Sequence, residues 1–347
     1  MAPTNTTTTI GYRAAAYIEP KLLQRMMPLM VTEPYGQPVR IPKNKTKTIN
    51  FRRHESLPVP SAPLAEGVRP SPQTLRVTTV TGTLQREGSW VPVTDDIADH
   101  LDDPIIQDLP DLLGEQAALT METRRIDVLK GGTNVYYASG VAGRTTVAAA
   151  PTRADLVKIY RGLRRVYAPR FRRIIKPSLL YNTIPVRECY VMVIHTDLED
   201  DFRSITGFVP CEKYPGKDAL LPGEIGAVEG FRIVSTEMLT PWLAGGADGT
   251  TLLSNGDVVT SDAAADVYPC LALSKDAFGT MPLRGRKKGK GKMVKPVNVH
   301  VEPPGKPTKG DELGQNGFAS WKAEQLSVIL NNTLMARLEV GCTATPS

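Results

Sequence analysis

Apolar and polar positions alternate, cluster and thin out along this chain in ways that divide it into regions. From 45 to 53, "KTKTINFRR" alternates, with Ile49 and Phe51 on one face and basic or polar groups on the other, the pattern of a strand. From 74 to 85, "TLRVTTVTGTLQ" reads as one long strand dominated by β-branched residues. Its apolar content is thin: Leu75, Val77, Val80 and Leu84 among threonines. Between the two, "HESLPVPSAPLAEGVRPSP" carries five prolines and almost no periodicity. Prolines lower the entropy of the free chain, so this is a stiff, extended connection. Together 45–85 predict a two-stranded ribbon with a long Pro-rich tip. Such a ribbon is marginal alone in water, and its own sequence does not supply the surface it needs.

The clearest helix is 108–130, within "DLPDLLGEQAALTMETRRIDVLKGG". Asp108 suits an N-cap, Arg124, Arg125 and Lys130 suit the negative end of the dipole, and Gly131 and Gly132 supply the stop. Leu109, Leu113, Ala117 and Met121 recur at four-residue steps, continued by Ile126 and Leu129. One stripe only is apolar, so the helix is expected to be half exposed. A second helix, 152–168, has Leu156, Ile159, Leu163 and Val166 on one face and a strongly basic opposite face. "CYVMVIH" (189–195) reads as a buried strand, followed by a short helix opened by Thr196 or Asp197. Strands are also expected at 230–236 and 267–274, while the final stretch, "SWKAEQLSVILNNTLMARLEVG", is ambiguous between helix and strand. Two polar, turn-rich segments interrupt this order: an insert at 245–266 and a basic, Gly-rich loop at 284–292. Residues 1 to about 11 are Thr-rich and read as a mobile arm.

Composition changes this picture little. The net charge of +6 over 347 residues is compatible with a polyanionic neighbour but too small to demand one. Cys189, Cys211, Cys270 and Cys342 have no close spacing and read as reduced thiols. The start, "MAPTNTTTTIGYR", has no apolar core of a signal peptide, and no apolar run is long enough to cross a bilayer, so a cytosolic setting is expected.

A search for chemistry yields little. The histidines His54, His100, His195 and His300 have no metal spacing, and no cofactor is expected. His195 ends an apolar strand, where catalytic groups occur in α/β folds, but a strand-end histidine with a local hydrogen bond is the simpler reading. "DLEDD" (197–201) is explained by acidic residues in a helix's first turn. "GVAGRTT" and "PGEIGAVEG" lack the spacing and context of phosphate loops. The basic loop offers Arg284, Arg286, Lys287, Lys288, Lys290 and Lys292 as possible contacts to DNA or another partner, with no aromatic interleaved for base stacking.

The order of the segments is itself informative. "YGQPVRIPKNKTKTINFRR", "PLAEGVRP", "LLGEQAALTMETRRIDVLKGGTNVYYA", "GEIGAVEGFRIV", "VYPCLALSKDAFGTMPL" and "SWKAEQLSVILNNTLMARLEV" follow one another from about residue 35 to the end. This succession resembles the major capsid proteins of tailed double-stranded DNA bacteriophages, and most of all those of N4-like phages. The resemblance implies an α+β, HK97-type capsid fold. Its parts would be an N-terminal arm and lead-in (1–44), an extended β-hairpin loop (45–90), a peripheral domain (91–150) with spine helix 108–130, an axial domain (151–300), and C-terminal strands (301–347) returning to the peripheral domain. It tips the ambiguous last segment towards strand. It also implies a structural, non-enzymatic protein of the virion capsid, assembled in the host cytoplasm as hexamers and pentamers around packaged DNA, with scaffolding, portal and decoration proteins as partners. The ribbon would lie on a neighbouring copy, with Ile49, Phe51 and Leu75 packing and Arg52 and Arg53 pairing charge across the boundary. Two rival readings remain: a nucleic-acid-binding protein using loop 284–292 and helix 152–168, and an α/β enzyme with a site near His195.

Overall fold

The computed structural model of the protein describes residues 30–39, 47–55, 57–60, 63, 67, 69, 72–95, 105–175, 183–214, 221–247, 252–253, 264–281, 297–302, 304–305 and 311–344. The N-terminal arm, the loop 284–292 and most of the 245–266 insert lie outside the described residues.

After a two-residue strand β1 (Gln37–Pro38), the ribbon forms: β2 (Thr48–His54) and β3 (Val77–Thr83) pair antiparallel, with Ile49 opposite Gly82 and Phe51 opposite Val80. The expected single strand 74–85 breaks at Leu84, and the chain continues as β4 (Gln85–Thr94). Then comes the long helix α1 (Ile105–Lys130). Its backbone is helical three residues before Asp108, so Asp108 is inside the first turn and not the N-cap. Next are β5 (Val135–Tyr137) and α2 (Arg153–Arg165). The Thr152 side chain caps α2 by accepting from the Asp155 backbone N–H, and the Asp155 carboxylate accepts from the Thr152 hydroxyl at 2.6 Å. α2 ends earlier than expected: Tyr167 has a φ of 53°, which turns the chain, and Val166 is left 45 % exposed.

The rest is mostly strand: β6 (Phe171–Ile175), β7 (Thr183–His195), a short α3 (Glu199–Ser204), β8 (Val209–Pro210), β9 (Glu224–Val228), β10 (Phe231–Thr236), β11 (Tyr268–Leu273), β12 (Phe278–Thr280), β13 (Val297–Glu302), β14 (Asn316–Gln325), β15 (Ser327–Ile329) and β16 (Met335–Val340). The ambiguous last stretch is therefore β. An eight-stranded mixed sheet runs β5-β16-β11-β7-β10-β9-β8, with β6 also on β7. Two three-stranded sheets run β13-β14-β4 and β1-β12-β15.

The C-terminal strands divide between sheets. β14 pairs with β4 beside the long helix, whereas β16 pairs with β11 inside the eight-stranded sheet. The reason is in its side chains: every residue of β16 is buried, a pattern that fits the middle of a sheet covered on both faces.

Both faces of the large sheet are indeed covered. Tyr190, Met192 and Ile194 face Leu156, Ile159 and Leu163 of α2, while Val191, Val193 and Leu271 face Ile126 and Leu129 of α1. The earlier part of α1 packs elsewhere: Leu109, Leu113, Ala117 and Met121 lie against Val93, Ala319 and Trp321 of the β13-β14-β4 sheet. A four-residue step overshoots a helical turn by about 40°, so the drifting stripe winds round the helix and serves two cores in succession.

Candidate assembly surface

The ribbon is divided along its length. At its base one face is half-buried, at Ile49, Phe51, Thr78 and Val80, and Gly82 is fully buried. A Cβ on Gly279 of β12 would lie 2.5 Å from the Phe51 ring, and one on Gly82 would lie 2.7 Å from Leu326. The base thus rests on its own chain. The Phe51 ring has an intramolecular seat, because a glycine directly beneath leaves room for it. Ile49 is half-buried on the same side.

Past the seat, the described large apolar and basic side chains are exposed. Arg52 and Arg53 are exposed and have no ion-pair partner among the described residues. Leu75 is 62 % exposed, and Leu57, Val59 and Val77 are 54 %, 88 % and 46 % exposed. Sequence reasoning singled out Leu75 but not Leu57 or Val59; apolar residues directly beside Pro58 were the available signal. The two arms still travel together: the Glu55 backbone N–H donates to the Arg76 carbonyl, and the Gln73 side chain donates to the Pro58 carbonyl.

Buried charged groups help fasten the long helix that anchors this architecture. In its middle, Glu122 and Arg125 form an ion pair at 2.5 Å, with side chains 0 % and 1 % exposed. The same Glu122 carboxylate accepts from the Thr32 backbone N–H at 2.8 Å, which ties the incoming segment to the helix. At its end, Arg337 of β16 donates to the carbonyls of Lys130 and Gly132. It thereby satisfies acceptors that a helix C-terminus leaves open. Arg337 also donates to Glu339, which takes a bidentate pair from Arg144 at 2.7 and 2.9 Å. The Arg144 guanidinium lies 3.6 Å from the Trp242 ring centroid. Donating hydrogen bonds to Glu339 raises the Arg144 pKa above its usual range. The helix's outer side keeps Leu112 and Leu119 exposed, so the expected half-exposure holds.

His195 does not form an open site. Its Nδ1 accepts from the Asp197 backbone N–H at 3.1 Å, and the Glu237 backbone also faces the ring. Burial holds the imidazole below its usual range, against the pull of the Asp197 carboxylate. That carboxylate is itself engaged by the Tyr268 hydroxyl at 2.8 Å, and burial followed by this bond raises the phenol's pKa. The basic face of α2 is present: Arg153 pairs with Glu229 and Lys158 with Asp155, while Arg161 and Arg165 are exposed without an ion-pair partner among the described residues. Arg284, Arg286, Lys287, Lys288, Lys290 and Lys292 lie outside the described residues.

Residues 77–288 match the model of the family described as "Phage capsid protein", more than half of the 347-residue chain. The chain belongs to the phage capsid protein family. Among curated phage capsid proteins it is 24 % identical over 214 residues to the "Major capsid protein" of Pseudomonas phage KPP21, a stretch covering 59 % of this chain and 52 % of the relative. The match thus spans about half the length of that relative. Among solved capsids, the cyanophage Pam1 capsid asymmetric unit matches with a TM-score of 0.61 at 13 % identity, covering 99 % of this chain and 100 % of that one. The capsid of Ralstonia phage GP4 also gives 0.61, at 10 % identity over 100 % and 96 % of the two chains. The capsid of cyanophage P-SCSP1u gives 0.57 at 12 % identity over 99 % and 94 %. These likenesses assign the α+β, HK97-type capsid fold over nearly the full length. A phage capsid protein is a structural component of the virion, not an enzyme.

Proposed function

We propose that copies of this chain assemble as hexamers and pentamers into a closed icosahedral shell around double-stranded DNA, with the ribbon of each copy lying on its neighbour. The observation that carries this reading is the exposure of apolar side chains at the ribbon's far end, Val59 at 88 % and Leu75 at 62 %. A subunit that leaves such groups uncovered completes its packing on other copies, through heterologous contacts that close into rings. Arg52 and Arg53 then supply charge to the neighbour's surface. The joint order of the segments quoted above supports placement in the N4-like group, with scaffolding, portal and decoration proteins as further partners. Arg161 and Arg165 on α2, together with the loop 284–292, suit contact with DNA phosphates without sequence reading.

Replacing residues 54–72 with a short Gly-Ser turn tests the ribbon. The shortened chain is expected to stay soluble and melt cooperatively, and to form no closed shells by negative-stain microscopy. Normal shells from it would remove the ribbon from assembly, and a chain that no longer folds would place the segment in the subunit's own core.

A further inference from the structure

We propose that Gly279 and Phe51 form a steric seat that sets the direction of the ribbon, so that the missing Cβ of Gly279 is a determinant of assembly more than of folding. This rests on the ribbon's proposed role and adds what aims it.

Neither Gly82 nor Gly279 has a positive φ, so neither is needed for an unusual backbone conformation. Each stands where another group comes too close for a side chain. A Cβ on Gly279 would meet the Phe51 ring at 2.5 and 2.7 Å; a Cβ on Gly82 would meet Leu326 at 2.7 Å and Val328 at 3.3 Å. Phe278 and Thr280, the neighbours of Gly279 in β12, sit on the other side of that strand, where they crowd Gly36. The small β1-β12-β15 sheet therefore has one side in the core and one side under the ribbon. Phe51 rests on its middle strand, and Gly82 rests beside Val328 of its edge strand.

Two seats define a direction. Gly82 pairs with Ile49, two residues before Phe51, so the seats are about 7 Å apart along the ribbon. A methyl group on Gly279 needs roughly 1 Å of clearance. A lift of about 1 Å over that short base tilts the ribbon by roughly 8°, and over the roughly 30 Å from Phe51 to Pro60 the tip moves about 4 Å, nearly one strand spacing. The bonds between Glu55 and Arg76 and between Gln73 and Pro58 keep the arms together, so the displacement passes outward. A shift of that size removes the tip from a contact matched to individual side chains.

The test uses Gly279→Ala and the double variant Gly279→Ala/Phe51→Leu, whose smaller side chain restores the clearance. Two readouts are needed. In a Cys211→Ser background, spin labels on Val59→Cys and Leu313→Cys, both exposed in the parent, report the ribbon's position in the unassembled subunit. Negative-stain microscopy reports closed shells. Gly279→Ala is expected to unfold at nearly the parental denaturant concentration, to shift the label distance by several ångströms, and to lower shell yield at least tenfold. The double variant is expected to recover both distance and yield. An unchanged label distance, or a shifted distance with normal shell yield, would overturn the proposal. So would loss of folding in Gly279→Ala that the double variant does not repair. Failure of the ribbon's role itself is recognised separately, by normal shells from the chain lacking 54–72.

Discussion

The ribbon and the eight-stranded sheet use the same backbone hydrogen bonds and differ in what their side chains meet. In β11 all six residues are buried, and Leu271 and Ala272 sit opposite Val193 and Met192. In β2 no residue is fully buried, and in β3 only Gly82 is. Across the ribbon Arg52 faces Thr79, and Asn50 faces Thr81, whose hydroxyl donates to the amide oxygen at 3.0 Å. Cross-strand polar pairs contribute only tenths of a kcal/mol, whereas burying a large aliphatic side chain contributes about 1.5–3 kcal/mol. Stability of the single chain is therefore concentrated in the sheet and along α1, and under the proposed function the ribbon would gain its stability from contacts between copies. Under the proposed function a subunit would benefit from that separation, because the part that fits a neighbour could respond to it without unfolding the rest.

Mutations that unfold the subunit should map to the sheet and helix and not to the ribbon. The largest effect is expected at the ion pair in α1. Arg125→Ala leaves Glu122 buried with the Thr32 N–H as its remaining partner, and breaking such a pair costs about 3–5 kcal/mol. Replacing both partners, as Glu122→Leu/Arg125→Met, should recover more than half of that loss, since apolar packing replaces two desolvated charges. Equal destabilisation of single and double variants in urea titrations would mean that the pair's hydrogen bond to Thr32, and not its charge, holds the helix. Next comes Leu271→Ala in the sheet, expected to cost about 2–5 kcal/mol, set against Leu75→Ala in the ribbon, expected to stay within about 0.5 kcal/mol as an exposed substitution. A Leu75→Ala subunit as destabilised as Leu271→Ala would end the division between the two regions.

The sheet's buried strands were legible because their pattern is local: "CYVMVIH" and "VYPCLALS" are apolar runs of strand length, and the structure places strands at 183–195 and 268–273. The α1 stripe was legible too, but its two destinations were not, since a stripe says which side is buried and not against what. The final stretch was unreadable from periodicity because its strands serve different environments. β14 alternates over one covered face, and β16 is buried throughout. Asp108 misled because a good capping residue inside a first turn looks the same in sequence as one at the cap. The seat under the ribbon was missed for a different reason. Gly279 and Gly82 are isolated glycines within strands, a sign of close backbone approach, but the groups that approach them, Phe51 and Leu326, are more than 200 residues away along the chain.

The smallest expected effect concerns the end of β7 and asks whether the sheet's margin is as fully built as its centre. His195 has a side chain 14 % exposed, and its Nδ1 is already used as an acceptor. Burial holds its pKa below the usual value of 6.5, although the Asp197 carboxylate pulls the other way. The unfolded chain therefore takes up this proton before the folded one does. The stabilisation is present in full above about 6.5 and is lost as pH falls through that value towards the lower folded pKa, with the loss complete once both states are protonated. Urea midpoints measured between pH 7.5 and 5 should fall with acid in the parent and fall less steeply in His195→Gln, whose amide oxygen can still accept from the Asp197 N–H. Carboxylates ordinarily titrate near 4, so the upper part of this window isolates the histidine. Identical slopes in the two proteins would show that the ring accepts its proton without disturbing the strand end. The margin of the sheet would then be a loosely held polar edge, closer in character to the ribbon than to β11.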